Sequence, residues 1–199
     1  MIKNPLLDIL LENSCARQYR GSVPVFDAHL RPVLTHTYAW AIPNVNALEA
    51  ITTDSPAGIL EVGAGTGYWA SLLEQMGADV WATDSAPPDD SRGATPNEWH
   101  PGSRTFTTVH QIDASEAAAS APDRTLLLCW PPRMSEMGHD ALVAFGGTRI
   151  VYIGEWRGAT GSSSLHDRLE SEWNLADCLD IPVWLGRDDR LRVFTRRSR

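Results

Sequence analysis

The spacing of apolar and polar positions divides the chain near residue 58. Beyond that point, short apolar runs alternate with stretches of helical period. "GILEVGA" predicts a strand, and "GYWASLLEQMG" predicts a helix closed by Gly77. "ADVWATD" follows as a second strand and "TFTTVHQI" as a weaker third. "RTLLLCW" is apolar on both faces, as a central parallel strand should be. "SEMGHDALVAFGG" then predicts a helix, "TRIVYIGE" a fifth strand and "SSSLHDRLESEW" another helix. The last two strands, "LADCLDIPVW" and "RLRVFTRR", are joined by the turn "LGRDD". That turn is too short for a helical crossover, so they should pair antiparallel.

The first fifty residues read as a helical or irregular segment. Leu6, Leu7, Leu10 and Leu11 give "PLLDILLENSCARQYR" a helical period, and "NVNALEAITT" predicts a helix after Pro43. The expected fold is α/β: a three-layer, Rossmann-like, seven-stranded and mostly parallel sheet with an antiparallel C-terminal strand, plus an N-terminal helical segment. The chain is read as a single domain over 1–199, with a helical or lid segment at 1–50 and a Rossmann-like core at 58–197.

Composition narrows the class. The chain has 199 residues, 43% hydrophobic and 21% charged, enough for one sizeable core. No run approaches the ~18 apolar residues of a membrane span, and Asp8 interrupts the apolar N-terminus, so neither membrane association nor a signal peptide is expected. A cytoplasmic location is the expectation. Cys15, Cys129 and Cys178 lie far apart and offer neither a disulfide framework nor a metal-binding pair, so each is expected as an apolar filler and no metal is expected. The formal net charge of −8 argues against nucleic acid as partner. Arg187, Arg190, Arg192, Arg196, Arg197 and Arg199 are read as the arginine-protected, solvated end of an edge strand.

The chemistry concentrates behind the first strand of the core, where Gly63, Gly65 and Gly67 precede the helix. Glycines there let the backbone approach a ligand closely. The dinucleotide fingerprint would need a third glycine where Tyr68 stands, and a P-loop needs a lysine, whereas Lys3 is the only one in the chain. The pattern present, Glu61-x-Gly63-x-Gly65-x-Gly67, resembles motif I of the class I S-adenosylmethionine-dependent methyltransferases. The resemblance covers roughly residues 58–197, since that family's sheet has seven strands and ends in an antiparallel hairpin.

The resemblance implies S-adenosylmethionine (SAM) as cofactor and S-adenosylhomocysteine (SAH) as product. Gly63 and Gly65 would admit the methionine moiety, Gly67 would start the helix beside it, and Glu61 would orient the loop and the ammonium end. Asp84, closing the second strand, can accept both ribose hydroxyls through its charge. Asp113, with Ala114 behind it, would accept from the adenine amino group or would cap the next helix. Ala64, Ser85, Cys129 and Trp130 complete the expected cofactor site.

The acceptor side is less defined. "LLLCWPPR" resembles the [DN]-P-P-[YFW] loop of amino-group methyltransferases, with Trp130 in the first position and Arg133 in the last. Trp130 cannot accept a hydrogen bond from an amine, so that mechanism does not carry over. Trp40, Asn44, Trp99, Pro131 and Glu155 are the candidate substrate contacts, and Trp156 falls with Trp40, Trp99 and Trp130 in predicted loops. His100 and His36, with an ordinary pKa near ~6.5, are candidate general bases, with Tyr38 beside them.

A methyltransferase acting on a small molecule or peptide is therefore expected. A composition with one lysine and abundant arginine, alanine and tryptophan points to a GC-rich bacterium and its specialised metabolism. Two alternatives stay open: a catalytically inactive SAM- or SAH-binding protein, and an NAD-dependent oxidoreductase. The glycine spacing and the antiparallel end oppose the latter.

Overall fold

The computed structural model describes residues 2–13, 16–88 and 97–197. Cys15, Arg199 and the middle of the 85–104 connection lie outside the described residues. The first helix, α1 (Pro5–Glu12), starts at Asn4, whose side chain accepts from the Leu7 amide. It covers the four leucines of the pattern and ends at Glu12. Residues Ala16–Arg20 (β1) and Val23–Phe26 (β2) instead form an antiparallel hairpin around Gly21, which has φ +58°. This corrects the reading of the first fifty residues as helical or irregular, since the segment also contains strands. Two short helices follow, α2 (Arg31–Thr37) and α3 (Val45–Thr52).

The core begins with β3 (Ile59–Val62), α4 (Tyr68–Gln75), β4 (Val80–Asp84), β5 (Val109–Gln111) and α5 (Ala114–Ser120). It continues with β6 (Thr125–Cys129), α6 (Met137–Ala144), β7 (Arg149–Gly154), α7 (Ser163–Glu172), β8 (Trp173–Asp180), β9 (Val183–Trp184) and β10 (Arg190–Arg196). Seven strands form one sheet in the order β5-β4-β3-β6-β7-β10-β8. The first five are parallel, and β10 runs antiparallel to both β7 and β8. The expected α/β class therefore holds.

Alternation along the strands builds the three layers. Ile59, Leu127, Val151 and Val193 pack on one face against α1, α3 and α4. Leu60, Leu126, Leu128 and Ile150 pack on the other against α5, α6 and α7.

Four expectations fail locally. "LADCLDIPVW" is not one strand: after β8 the chain leaves the large sheet, and Val183–Trp184 pairs in parallel with β2 to make a small three-stranded sheet. The third core strand shrinks to Val109–Gln111, because the Phe106 amide turns to the Thr66 carbonyl instead. The arginine-rich strand β10 is not an edge, because β8 covers it. Its arginines are anchored rather than solvated: Arg196 lies 4.4 Å over the Trp173 ring and donates to the Phe145 and Gly147 carbonyls. Cys178 is exposed on β8 and is no core filler, whereas Cys129 is half-buried. Among the described residues no helix is long and apolar enough to cross a membrane.

One buried knot ties the N-terminal segment to the start of α4. The Tyr68 hydroxyl donates to Asn4 Oδ1 (2.8 Å) and accepts from the Leu6 amide (3.0 Å), while Asn4 Nδ2 donates to the Pro43 carbonyl (2.9 Å). Tyr68→Phe strands the buried Leu6 N–H and should lower stability by about 1–3 kcal/mol in a urea titration. An unchanged midpoint would show that the hydroxyl does not hold α1 in place.

Candidate functional site

The strand order reverses between β3 and β6, and a cavity of about 820 Å³ opens there at the carboxyl ends of the parallel strands. The turn after β3 forms its floor. Gly63, Gly65 and Gly67 all have positive φ, at +71°, +53° and +67°. The Ala64 amide donates to the Thr83 carbonyl and the Gly67 amide to the Ala64 carbonyl, which locks the turn onto β4. A Cβ on Gly65 would lie 2.8 Å from the His100 ring, and one on Gly63 would lie 2.7 Å from Met137 Cε. Gly63, Ala64 and Gly65 line the cavity, whereas Gly67 serves as the N-cap of α4 beneath Thr107 and Val109.

Carboxylates brace this turn from two sides. Glu61 is buried, and its Oε2 accepts from the Ala70 amide (3.1 Å) in the first turn of α4, where the helix dipole favours an acceptor. Asp84 Oδ2 accepts from the Gly65 amide and Oδ1 from the Ala86 amide, both at 2.9 Å. Ser85 lies beside it in the cavity wall. Asp113 also lines the cavity and caps α5, accepting from the Ser115 amide (2.9 Å) and hydroxyl (2.6 Å). Those bonds hold its carboxyl below the ordinary range. Ala114 is buried behind it.

Burial pushes the Glu61 carboxyl up from 4.5 to about 8, more than the Ala70 hydrogen bond lowers it. Between these values the folded chain keeps a proton that the unfolded chain has released, so this group's contribution to stability falls as pH rises through the window. Glu61→Gln keeps an acceptor for Ala70 and removes the titration. The stability difference between wild type and variant should shift by about 1.4 kcal/mol per pH unit across that window, in favour of the variant at high pH. Denaturant titrations at several pH values check this, and parallel curves would contradict it.

The opposite wall is aromatic. Trp130 follows β6 with φ +53°, a conformation that a bulky side chain adopts at a cost. Its amide donates to the Ile153 carbonyl and its Nε1 to Asp189 Oδ1 (2.8 Å). Asp189 is buried, and burial raises its carboxyl to about 7. Trp130 stacks on Trp40 at 5.0 Å, and Trp99 meets Trp40 edge-on at 6.0 Å. The Arg31 guanidinium lies 5.2 Å from the Trp40 ring and 5.6 Å from the Trp130 ring. Asn97 sets Trp99 and His100: its Nδ2 donates to the Ala86 carbonyl, and its Oδ1 accepts from both their amides.

His100 is buried over Gly65, and its Nδ1 donates to the His36 carbonyl (2.9 Å). A carbonyl can only accept, so Nε2 is left as the unprotonated nitrogen. Burial lowers the His100 pKa, keeping the ring neutral near pH 7.

The other sequence-derived candidates divide. Tyr38, Trp40, Trp99, His100, Cys129 and Trp130 line the cavity. The His36 side chain is not part of the lining, and its carbonyl serves instead to hold His100 and Ser103. Asn44 caps α3 by accepting from the Ala47 amide, outside the cavity. Pro131 is buried under the wall, with its carbonyl accepting from the Gly161 amide, and Pro132 takes the lining position. Glu155 points away, accepting from the Asp188 and Ala159 amides. Trp156 packs on His166 and Phe194 rather than with the other loop tryptophans. Asn97, Met137 and Asp189 were not singled out from sequence; only Asn97, in the polar "NEWHPGS" connection beside Trp99 and His100, stood near a signal.

A methyltransferase-domain family model matches residues 33–129. No curated protein is similar enough in sequence to match. Among solved structures, the fold is similar to magnesium protoporphyrin IX methyltransferase from Synechocystis PCC 6803 with bound SAM, at 14% identity and TM-score 0.52, over 77% of this chain and 76% of that one. It is also similar to the PH0226 protein from Pyrococcus horikoshii OT3, at 11% identity and TM-score 0.50, over 86% of this chain and 100% of that one. The matched stretch carries a methyltransferase domain that includes the glycine turn, and the seven-stranded sheet has the Rossmann-like fold of the SAM-bound methyltransferase to which it is similar.

Proposed function

We propose that the chain methylates a small molecule, with the cofactor on the β3–β5 side of the cavity and the acceptor on the β6 side. The observation that carries the reading is the turn at Gly63–Gly65, bare of side chains and braced by Asp84 at the carboxyl end of the neighbouring strand. The residues fit the cofactor. The glycines leave room for its methionine end, Asp84 offers charged oxygens to ribose hydroxyls, and Asp113 stands at the next strand end for the adenine amino group. Bound SAM supplies an electrophilic methyl group on a sulfonium.

The chain's own part is to place the acceptor and to manage its proton. Positioning can supply much of the rate for such a displacement. His100 is held neutral with Nε2 free of the His36 contact, the state a general base needs for an acceptor that must lose a proton. Burial raises Cys129 and so keeps it as an uncharged thiol. The exclusion of nucleic acid belongs to the same reading, supported by the acidic balance of the chain, and a cytoplasmic setting is its default.

A thermal-shift experiment tests the proposal. SAH at about 100 times its Kd should add about 2.7 kcal/mol of stability, while DNA and RNA oligonucleotides at low salt should add none. Salt-dependent stabilisation by nucleic acid would overturn the small-molecule part.

A further inference from the structure

The two ends of the cavity differ chemically. The acids Glu61, Asp84 and Asp113 lie at the ends of β3, β4 and β5, where the cofactor reading places the cofactor. Beyond the end of β6 the lining turns to indole and thioether side chains, with Arg133, Ser135 and Asp140 among them. Trp40, Trp99 and Trp130 all line the cavity, Trp99 is 47% exposed, and Met134 is 95% exposed. Large apolar side chains left open to solvent inside a cavity mark a surface that a ligand covers.

The indoles are also set in place before any ligand arrives. Trp130 is fixed by Asp189 and by its own backbone, Trp40 stacks on it, and Asn97 orients the loop that carries Trp99. Rigid ring faces and edges favour another ring over a flexible chain, because aromatic pairs gain from offset and edge-on contact beyond area alone.

Charge also enters this part of the lining: Glu98 stands beside Trp99, Asp140 on α6 contacts His139, and Arg133 is the lining's one cation among the described residues. Arg133 lines the cavity three residues after Trp130 and is exposed. It forms no hydrogen bond or ion pair among the described residues, and it is the one arginine or lysine of the lining. The arginines beyond this wall are engaged: Arg31 lies over Trp40 and Trp130, and Arg187 lies against Glu155. A guanidinium at the rim of an aromatic pocket matches a planar carboxylate, which it can hold with two parallel hydrogen bonds.

We infer that the acceptor is a flat aromatic molecule with an acidic substituent, its ring against the Trp40–Trp99–Trp130 wall and its anion on Arg133. The inference rests on the methyltransferase reading for its division of the cavity into cofactor and acceptor ends.

The test is calorimetric titration of the full chain, with and without saturating SAH, using three probes. Anthranilate carries both ring and acid, aniline only the ring, and cyclohexanecarboxylate only the acid. Anthranilate should bind at least about tenfold more tightly than either, or about 1.4 kcal/mol. Arg133→Gln should bring anthranilate down to the level of aniline, and Trp99→Ala should bring it down toward cyclohexanecarboxylate. Equal binding of the three probes, no binding by any of them, or a preference that both variants retain would overturn the inference. Titrating SAH into the unaltered protein reports on the methyltransferase reading by itself. If SAH fails to bind, that reading falls, and the probe ranking in the free protein still decides the aromatic-acid inference.

Discussion

Gly65→Val should bind no measurable SAH while remaining folded. Two effects combine at this position. The backbone sits at φ +53°, where a β-branched residue is strained by roughly 1–2 kcal/mol or more. The added Cβ would also lie 2.8 Å from Cδ2 and Nε2 of His100, a ring that cannot simply swing aside because Nδ1 is tied to the His36 carbonyl. Relief requires moving the loop that carries Trp99 and His100 or flattening the turn, and either change removes the floor of the cavity. The large sheet should survive, since its two cores are built from strand and helix side chains and none comes from Gly63 to Gly67. Circular dichroism should therefore report a native spectrum, while the loss of SAH affinity exceeds about a hundredfold, or about 2.8 kcal/mol. Gly65→Ala shares the Cβ clash with less backbone strain, so it should fall between wild type and valine. Wild-type affinity in the valine variant would mean that the glycine turn serves packing alone.

Asp84→Ala should weaken SAH binding by about 1–3 kcal/mol, or roughly fivefold to 150-fold. Its carboxylate does two things. It accepts from the Gly65 and Ala86 amides and thereby sets the turn, and it presents charged oxygen at the carboxyl end of β4, where ribose hydroxyls are expected. Asp84→Asn separates the two roles. An amide oxygen can still accept from one of these amides, so the turn survives in part, but the charge is gone. A loss in the asparagine variant close to that in alanine assigns the effect to charge toward the ligand. A loss confined to alanine assigns it to the turn. Unchanged affinity in both variants would remove Asp84 from the site.

How much of this was legible depends on how local the signal is. β3, β6 and β7 are runs whose side chains are buried on both faces, and each can be read from a few consecutive residues. The glycines and Asp84 were legible because their place relative to a strand end fixes what they face. β1, β2 and β9 were not, because their pairing joins the N-terminus to residues near the C-terminus and no single segment carries an apolar face. β10 looked like an edge because of its arginines, and burial of the stems against tryptophan and capture by backbone carbonyls explain how it tolerates them.

Within the site, failures concern where side chains point. Asn44 precedes a helix and its side chain turns back to cap it; Glu155 turns toward the amides of Ala159 and Asp188. The neighbours Asp188 and Asp189 are alike in sequence, yet one is exposed and the other is buried under Trp130. Only the packed structure distinguishes them.

The central claim is that the turn at Gly63–Gly67 holds an S-adenosyl cofactor. Calorimetric titration of the full chain with SAH, with NAD as a parallel control, tests it most directly. Saturable binding of SAH with one molecule per chain and no heat from NAD is the expected result. Binding of NAD, or no binding of SAH by a folded sample, would contradict it.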